Sequence, residues 1–167
     1  MSGWPVVDSV QFARTHGELS GSAPITDFKR LAQVVLGEED EFQVQLEGFQ
    51  DGEARPCLRL RVKGTIKLAC QRCLEPLSLQ LVSDRSFVLV EREDDMVDLA
   101  DEDDTMESLL ANDELDVMVF AEDEILLQIP IAPTHDPDTC TPPVWTAQNE
   151  DGNSAFSVLG TLTNTKD

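Results

Sequence analysis

Leu58-Arg-Leu-Arg-Val-Lys-Gly-Thr-Ile-Lys-Leu-Ala-Cys-Gln-Arg-Cys-Leu-Glu-Pro-Leu-Ser-Leu-Gln-Leu81 is the stretch from which the fold is read. Leu58, Leu60, Val62, Ile66 and Leu68 alternate with Arg59, Arg61, Lys63, Thr65 and Lys67, the period of two that a strand buried on one face requires. Gly64 interrupts the apolar set and marks a bulge or twist. After Cys73 the alternation resumes with Leu77, Leu79 and Leu81 against Ser78 and Gln80, and runs on to Phe87-Val-Leu-Val90. Apolar parity blurs at Ser83 to Arg85, where a second bulge is expected. Cys70 and Cys73 thus fall where two long antiparallel strands turn back, a hairpin knuckle.

Upstream, Phe42, Val44 and Leu46 alternate with Gln43, Gln45 and Glu47, and Asp51-Gly52 signals the turn into the long strand. Residues 6–22 alternate weakly and read as one or two edge strands. Pro24-Ile-Thr-Asp-Phe-Lys-Arg-Leu-Ala-Gln-Val-Val35 places Ile25, Phe28, Leu31, Ala32 and Val35 at helical spacing before Gly37, which predicts a short packing helix.

Downstream, an acidic loop over about residues 91–112 contains a brief helical turn near Met106 to Leu110. Leu115 to Pro130 follows as a core helix capped by Asp116. Met118, Ala121, Ile125 and Ile129 lie on its inner side, and Glu122, Asp123 and Glu124 on its exposed face. Residues 141–167 form an irregular tail, with a short terminal helix from Ser154 to Leu162 that puts Phe156, Leu159 and Leu162 on one side. The expected architecture is α+β. An antiparallel meander of long strands is packed by two or three helices in a single domain over residues 1–140.

Four soft ligands in two close pairs suit one tetrahedral metal ion. Cys70-x-x-Cys73 is answered, after 61 intervening residues, by His135-x-x-x-x-Cys140. Pro130, Pro133 and Pro137 stiffen the loop that delivers the second pair. Zn²⁺ is the best match to a Cys₃His set, which is closed and therefore structural. The plainer alternative leaves Cys70 and Cys73 as reduced thiols and His135 as a polar loop residue. A redox dithiol is disfavoured, because such pairs sit at helix amino termini where the dipole lowers the thiol pKa. Cys57 reads as a small core residue and His16 as a surface residue.

The charge is lopsided. The chain carries 12 Lys and Arg against 33 Asp and Glu, a net −21, and residues 91–124 alone hold 16 acids against Arg92. Such a chain repels phosphate backbones at long range and attracts basic proteins. Against that background, Arg59, Arg61, Lys63 and Lys67 form a basic stripe with two readings. In one, the cations pair with acids on neighbouring strands; in the other, they make a phosphate-contacting surface. No aromatic residue is interleaved with them, so a stacking platform for unpaired bases is not supported. No Gly-rich phosphate loop, Ser-His-Asp set or His-Glu-x-x-His run is present, and a closed metal site offers no open position for an activated water, so an enzyme is not expected. The sequence has no apolar run of membrane-spanning length and no signal-peptide start, which reads as a cytoplasmic protein whose thiols stay reduced.

Taken in order, Cys70-Gln-Arg-Cys-Leu-Glu-Pro76, Leu115-Asp116, Glu122-Asp-Glu-Ile-Leu-Leu-Gln-Ile-Pro130, Pro133-Thr-His-Asp136, Cys140 and Ala155-Phe-Ser-Val-Leu159 resemble the YceD family. The resemblance spans nearly the whole chain. It implies a bacterial or plastid protein associated with accumulation of 23S ribosomal RNA and biogenesis of the large ribosomal subunit. The family's Cys-x-x-Cys matches Cys70 and Cys73, its Pro-x-His matches Pro133 to His135, and its last Cys matches Cys140. The implied partner is a large-subunit ribosomal protein, a ribosomal RNA processing factor or a pre-ribosomal particle, bound by a monomer through its acidic surface. The alternative is direct RNA binding through the basic strand face.

Overall fold

The computed structural model describes residues 4–37, 40–96 and 106–141. The expected terminal helix over 154–162 lies outside them, as does much of the acid block. The described elements are β1 (Val6–Val7), α1 (Ser9–Arg14), β2 (Glu18–Pro24), β3 (Glu41–Gln50), β4 (Pro56–Ala69), β5 (Pro76–Val90), β6 (Glu107–Leu110), β7 (Leu115–Asp116) and α2 (Val117–Gln128). Five strands form one sheet in the order β2-β3-β4-β5-β6, and β1 pairs with β7 in a second, two-stranded sheet. The class is α+β, with two helices over one face of a mixed sheet.

The four-strand meander is antiparallel, as the alternation predicts. β6 is the exception: it lies parallel to β5, with Phe87 opposite Glu107 and Val90 opposite Leu110. The expected helical turn at Met106 to Leu110 is this strand instead. A parallel neighbour needs a long return path, and residues 91–106 supply it.

Neither expected bulge forms. β4 and β5 pair without interruption from Cys57 opposite Val88 to Ala69 opposite Pro76. Gly64 is needed for room: it sits opposite Phe42, and a Cβ there would lie 2.5 Å from the Phe42 ring. At Ser83 and Arg85 the parity is intact but the chemistry changes. Both belong to the inner face, opposite Val62 and Leu60, where a buried carboxylate from α2 meets them. Ser83 Oγ donates to Glu124 Oε1 at 2.6 Å, Gln128 Nε2 donates to the same oxygen at 3.0 Å, and Arg85 Nε lies 3.2 Å away. The interruption in the pattern was a polar cluster, with partners for each polar group.

Two further expectations are corrected. Residues 24–35 form two 3₁₀ turns, Ile25–Asp27 and Leu31–Gln33, with Phe28 extended between them, and not a helix. Ile25, Phe28 and Leu31 still reach the core, so the apolar spacing was right about burial and wrong about winding. A helix this short is costly to nucleate. Here a tertiary contact takes the N–H groups that a helix would use: Arg30 N and Leu31 N donate to Glu122 Oε1 at 2.6 and 3.0 Å. The same contact overturns the exposed acidic face of α2, since Glu122 and Glu124 are each only 4% exposed. Within residues 6–22, β1 and β2 form as expected, but α1 lies between them. Asp8 caps it by accepting from Gln11 N at 2.8 Å.

Asp116 caps α2 as expected, accepting from Met118 N and Val119 N. The core is formed by Phe42, Val44, Leu46, Leu58, Leu60, Val62 and Ile66 of the sheet, with Ile25, Phe28, Leu31, Ala13, Val117, Ala121 and Ile125 packed over them. Cys57 is fully buried and His16 is exposed. Among the described residues, no helix is long and apolar enough to cross a membrane.

Candidate metal centre

The hairpin between β4 and β5 is closed by backbone bonds from Cys70 N to Glu75 O (3.0 Å) and from Leu74 N to Cys70 O (2.9 Å). Leu74 takes φ 65°, a left-handed conformation that lets so tight a turn return into β5. The turn presents both sulfurs to the same side, and Arg72 N donates to Cys70 Sγ at 3.4 Å.

The second pair arrives from beyond α2. Asp136 O accepts from Thr139 N and Cys140 N at 3.0 and 3.1 Å, a turn that lifts Cys140 toward the hairpin, and Gln71 N donates to Pro133 O at 2.8 Å, joining the two loops directly. Cys70, Cys73 and Cys140 are buried together with Leu77 packed against them, a cluster separate from the main core.

All four sequence-predicted ligands converge. One ligand atom from each of Cys70, Cys73, His135 and Cys140 lies within 4.8 Å of the others. Cys70 Sγ and Cys140 Sγ are 3.7 Å apart, and Cys73 Sγ and His135 Nδ1 are 3.3 Å apart. Around a tetrahedral ion with metal–sulfur bonds of about 2.3 Å, sulfurs stand roughly 3.8 Å apart, so these two separations match neighbouring ligands of a single ion.

The imidazole is set for ligation by its far nitrogen. His135 Nε2 lies 3.1 Å from the Pro76 carbonyl, which can only accept, so the proton sits on Nε2 and the Nδ1 lone pair faces the sulfurs. Burial raises the Cys70 thiol pKa, but N–H groups of Cys73, His135 and Arg72 outweigh it and pull it down to about 5. Burial, followed by the Cys70 and Cys73 sulfurs, pushes Cys140 up to about 11. The N–H groups around Cys70 favour a thiolate there, and a cation would displace thiol protons from the cluster. The site can hold a metal ion.

The basic stripe is placed differently. Arg59 grips Asp84 through two bonds of 2.6 and 2.7 Å, and Arg61 bridges Glu47 at 2.7 Å and Asp84 at 3.3 Å. Lys63 and Lys67 share their outer sheet face and have no ion pair among the described residues. Between Arg61 and Lys63 the face is a shallow groove of about 440 Å³ lined with Ser20, Gln43, Gln45 and Val82.

Sequence reasoning missed the backbone part of the centre: the Pro76 carbonyl, the Gln71 to Pro133 link and the left-handed Leu74. A Cys-x-x-Cys at a hairpin tip implies a left-handed residue just after it, and Leu74 gives no compositional hint because glycine is the usual choice there.

The YceD family model, described as large ribosomal RNA subunit accumulation protein YceD, matches residues 58–162, from the start of the β4 alternation through both halves of the ligand set. The chain is 27% identical over 136 residues to the large ribosomal RNA subunit accumulation protein YceD of Haemophilus influenzae, an alignment covering 80% of this chain and 76% of that protein. No solved structure matches the chain. With the matched region holding the long hairpin and all four convergent ligands, the chain belongs to the YceD family.

Proposed function

We propose that the protein is a non-enzymatic factor for accumulation of 23S ribosomal RNA, acting in large-subunit biogenesis by binding a basic protein. A large-subunit ribosomal protein, a ribosomal RNA processing factor or a pre-ribosomal particle carrying one would supply that partner. The family name supports the process. The charge supports the mode: 16 acids in residues 91–124 against one Arg give a field that gathers cations and disperses nucleic acid. The observation that carries the choice is the pairing of Arg59 and Arg61 with Asp84 and Glu47, which occupy the guanidinium groups that RNA phosphates would need.

In this reading Cys70, Cys73, His135 and Cys140 hold a structural Zn²⁺ at a hairpin knuckle, clamping β4 and β5 to the loop after α2. The protein works as a cytoplasmic monomer. Direct RNA binding survives as a second reading on Lys63 and Lys67, the two cations of that face with no ion pair among the described residues.

Fluorescence anisotropy with a basic large-subunit ribosomal protein and with 23S ribosomal RNA fragments separates the two. Asn at Asp94, Asp95, Asp103 and Asp104 is expected to weaken protein binding about tenfold at low salt. Glu at Arg59, Arg61 and Lys63 is expected to leave it unchanged. The opposite pattern, with RNA as the bound species, overturns the proposal.

A further inference from the structure

The geometry points to the open edge of β5, from Ser78 to Asp84, as a site where an extended basic segment of the partner adds as a further strand. This rests on the basic-partner reading above and names where and how the partner binds.

Backbone direction follows from the register. Glu75 O accepts from Cys70 N across the hairpin, so odd-numbered residues of β5 bond toward β4; Val90 O accepts from Ala111 N, so even-numbered ones face the other way. At one end the Pro76 carbonyl is taken by His135, and at the other β6 takes over from Phe87 to Val90. Between these stops, the N–H and C=O groups of Ser78, Gln80, Val82 and Asp84 point outward, with no strand beside them among the described residues. The open length of roughly 20 Å is that of an ordinary strand.

Open edges are normally guarded by charge, proline, bulges or brevity. The opposite edge, β2, carries Glu18, Gly21 and Pro24. Leu77-Ser-Leu-Gln-Leu-Val-Ser83 has no charge, no proline and no bulge, the carboxylate of Asp84 beyond it is taken by Arg59 and Arg61, and the stretch lies within a strand of 15 residues. Val82 is 59% exposed beside it, and Leu77 and Leu79 are half-buried on its inner side. Such an edge fits a partner strand whose alternate residues are apolar.

Charge decides the occupant. A second copy would bring another −21, whereas a lysine- or arginine-rich segment is drawn by the net charge of the chain and would keep its cations one strand away from Lys63 and Lys67, which stand opposite Val82 and Ser78 on β4.

The test uses the full chain and an acetylated peptide of about eight alternating Lys and Val residues. Two further peptides are N-methylated on the backbone along one edge or the other. We expect the plain peptide to bind and to slow amide exchange at Gln80 and Val82. One methylated peptide should bind as well as the plain one, and the other about tenfold more weakly. Gln80→Pro removes only an outward N–H, so it should weaken binding about tenfold while metal content stays unchanged. The methylated peptides carry the test without altering the protein.

Binding that leaves Gln80 and Val82 exchange unchanged, or that ignores both methylation patterns, overturns strand addition and leaves the acidic-surface reading intact. So does a peptide that fails to bind while a basic ribosomal protein still does. Failure of both ligands overturns both readings. A concentration-dependent dimer dissolved by Gln80→Pro would put a second copy on the edge and overturn the basic occupant.

Discussion

His135 shows how much one carbonyl can decide. Pro76 O selects the tautomer, and the tautomer leaves the Nδ1 lone pair available to a cation. Freshly purified protein is therefore expected to carry about one zinc per chain by elemental analysis. Cys140→Ala and His135→Ala should each lose most of it, while Cys57→Ala, outside the cluster, should retain it. Glycines make an independent test of packing. A Cβ at Gly48 would collide with the backbone of Phe12 and Ala13 in α1. Gly48→Ala should cost about 1–3 kcal/mol in urea denaturation, because backbone cannot step aside as a side chain can.

Among the elements, α2 is the one whose sequence was most misleading. Its Glu-Asp-Glu run reads as a solvated face, yet Glu122 and Glu124 turn inward and only Asp123 stays outside, paired with Arg30. Single-sequence periodicity assigns charged residues to water by default. Nothing local announces that Arg30 N, Leu31 N, Ser83 and Arg85 wait for carboxylates from far along the chain. Period two, by contrast, made β3, β4 and β5 legible, because one-sided burial writes itself into alternate residues. β6 and α1 were too short to write anything. Glu122→Ala should lower stability by about 3 kcal/mol, since it leaves buried donors unpaired.

Glu122 also carries a pH signature. Burial pushes its pKa upward, but the N–H groups of Leu31 and Arg30 and the Arg30 guanidinium outweigh that and hold it below the ordinary 4.5. A carboxylate depressed on folding stabilises fully above its unfolded value and ceases to do so as pH falls through its folded value. The stability gap between the parent and Glu122→Gln should therefore be constant at neutral pH and narrow below about 4.5, measured as urea midpoints across the acid range.

For the whole molecule, two regions of packing coexist. The main core joins the sheet, α1 and α2, and the cysteine cluster stands apart from it at the hairpin tip. Chelation should therefore lower the melting temperature and loosen the loop after Pro130 while far-ultraviolet circular dichroism of the sheet persists. The four ligands were legible in their spacing because metal chemistry fixes residue type. Their convergence was not, since it depends on α2 spanning the sheet in the right direction. Association with a basic partner should weaken steeply between about 50 and 200 mM salt, which anisotropy titrations would register.

The split ligand set also imposes an order in time. Cys70 and Cys73 leave the ribosome well before His135 and Cys140, so a nascent chain holds only half a coordination sphere until α2 and the loop after it have emerged. Capture of an ion would thus mark the moment at which both halves of the ligand set have emerged, and a chain truncated before residue 140 would lack that seal however well its sheet had formed.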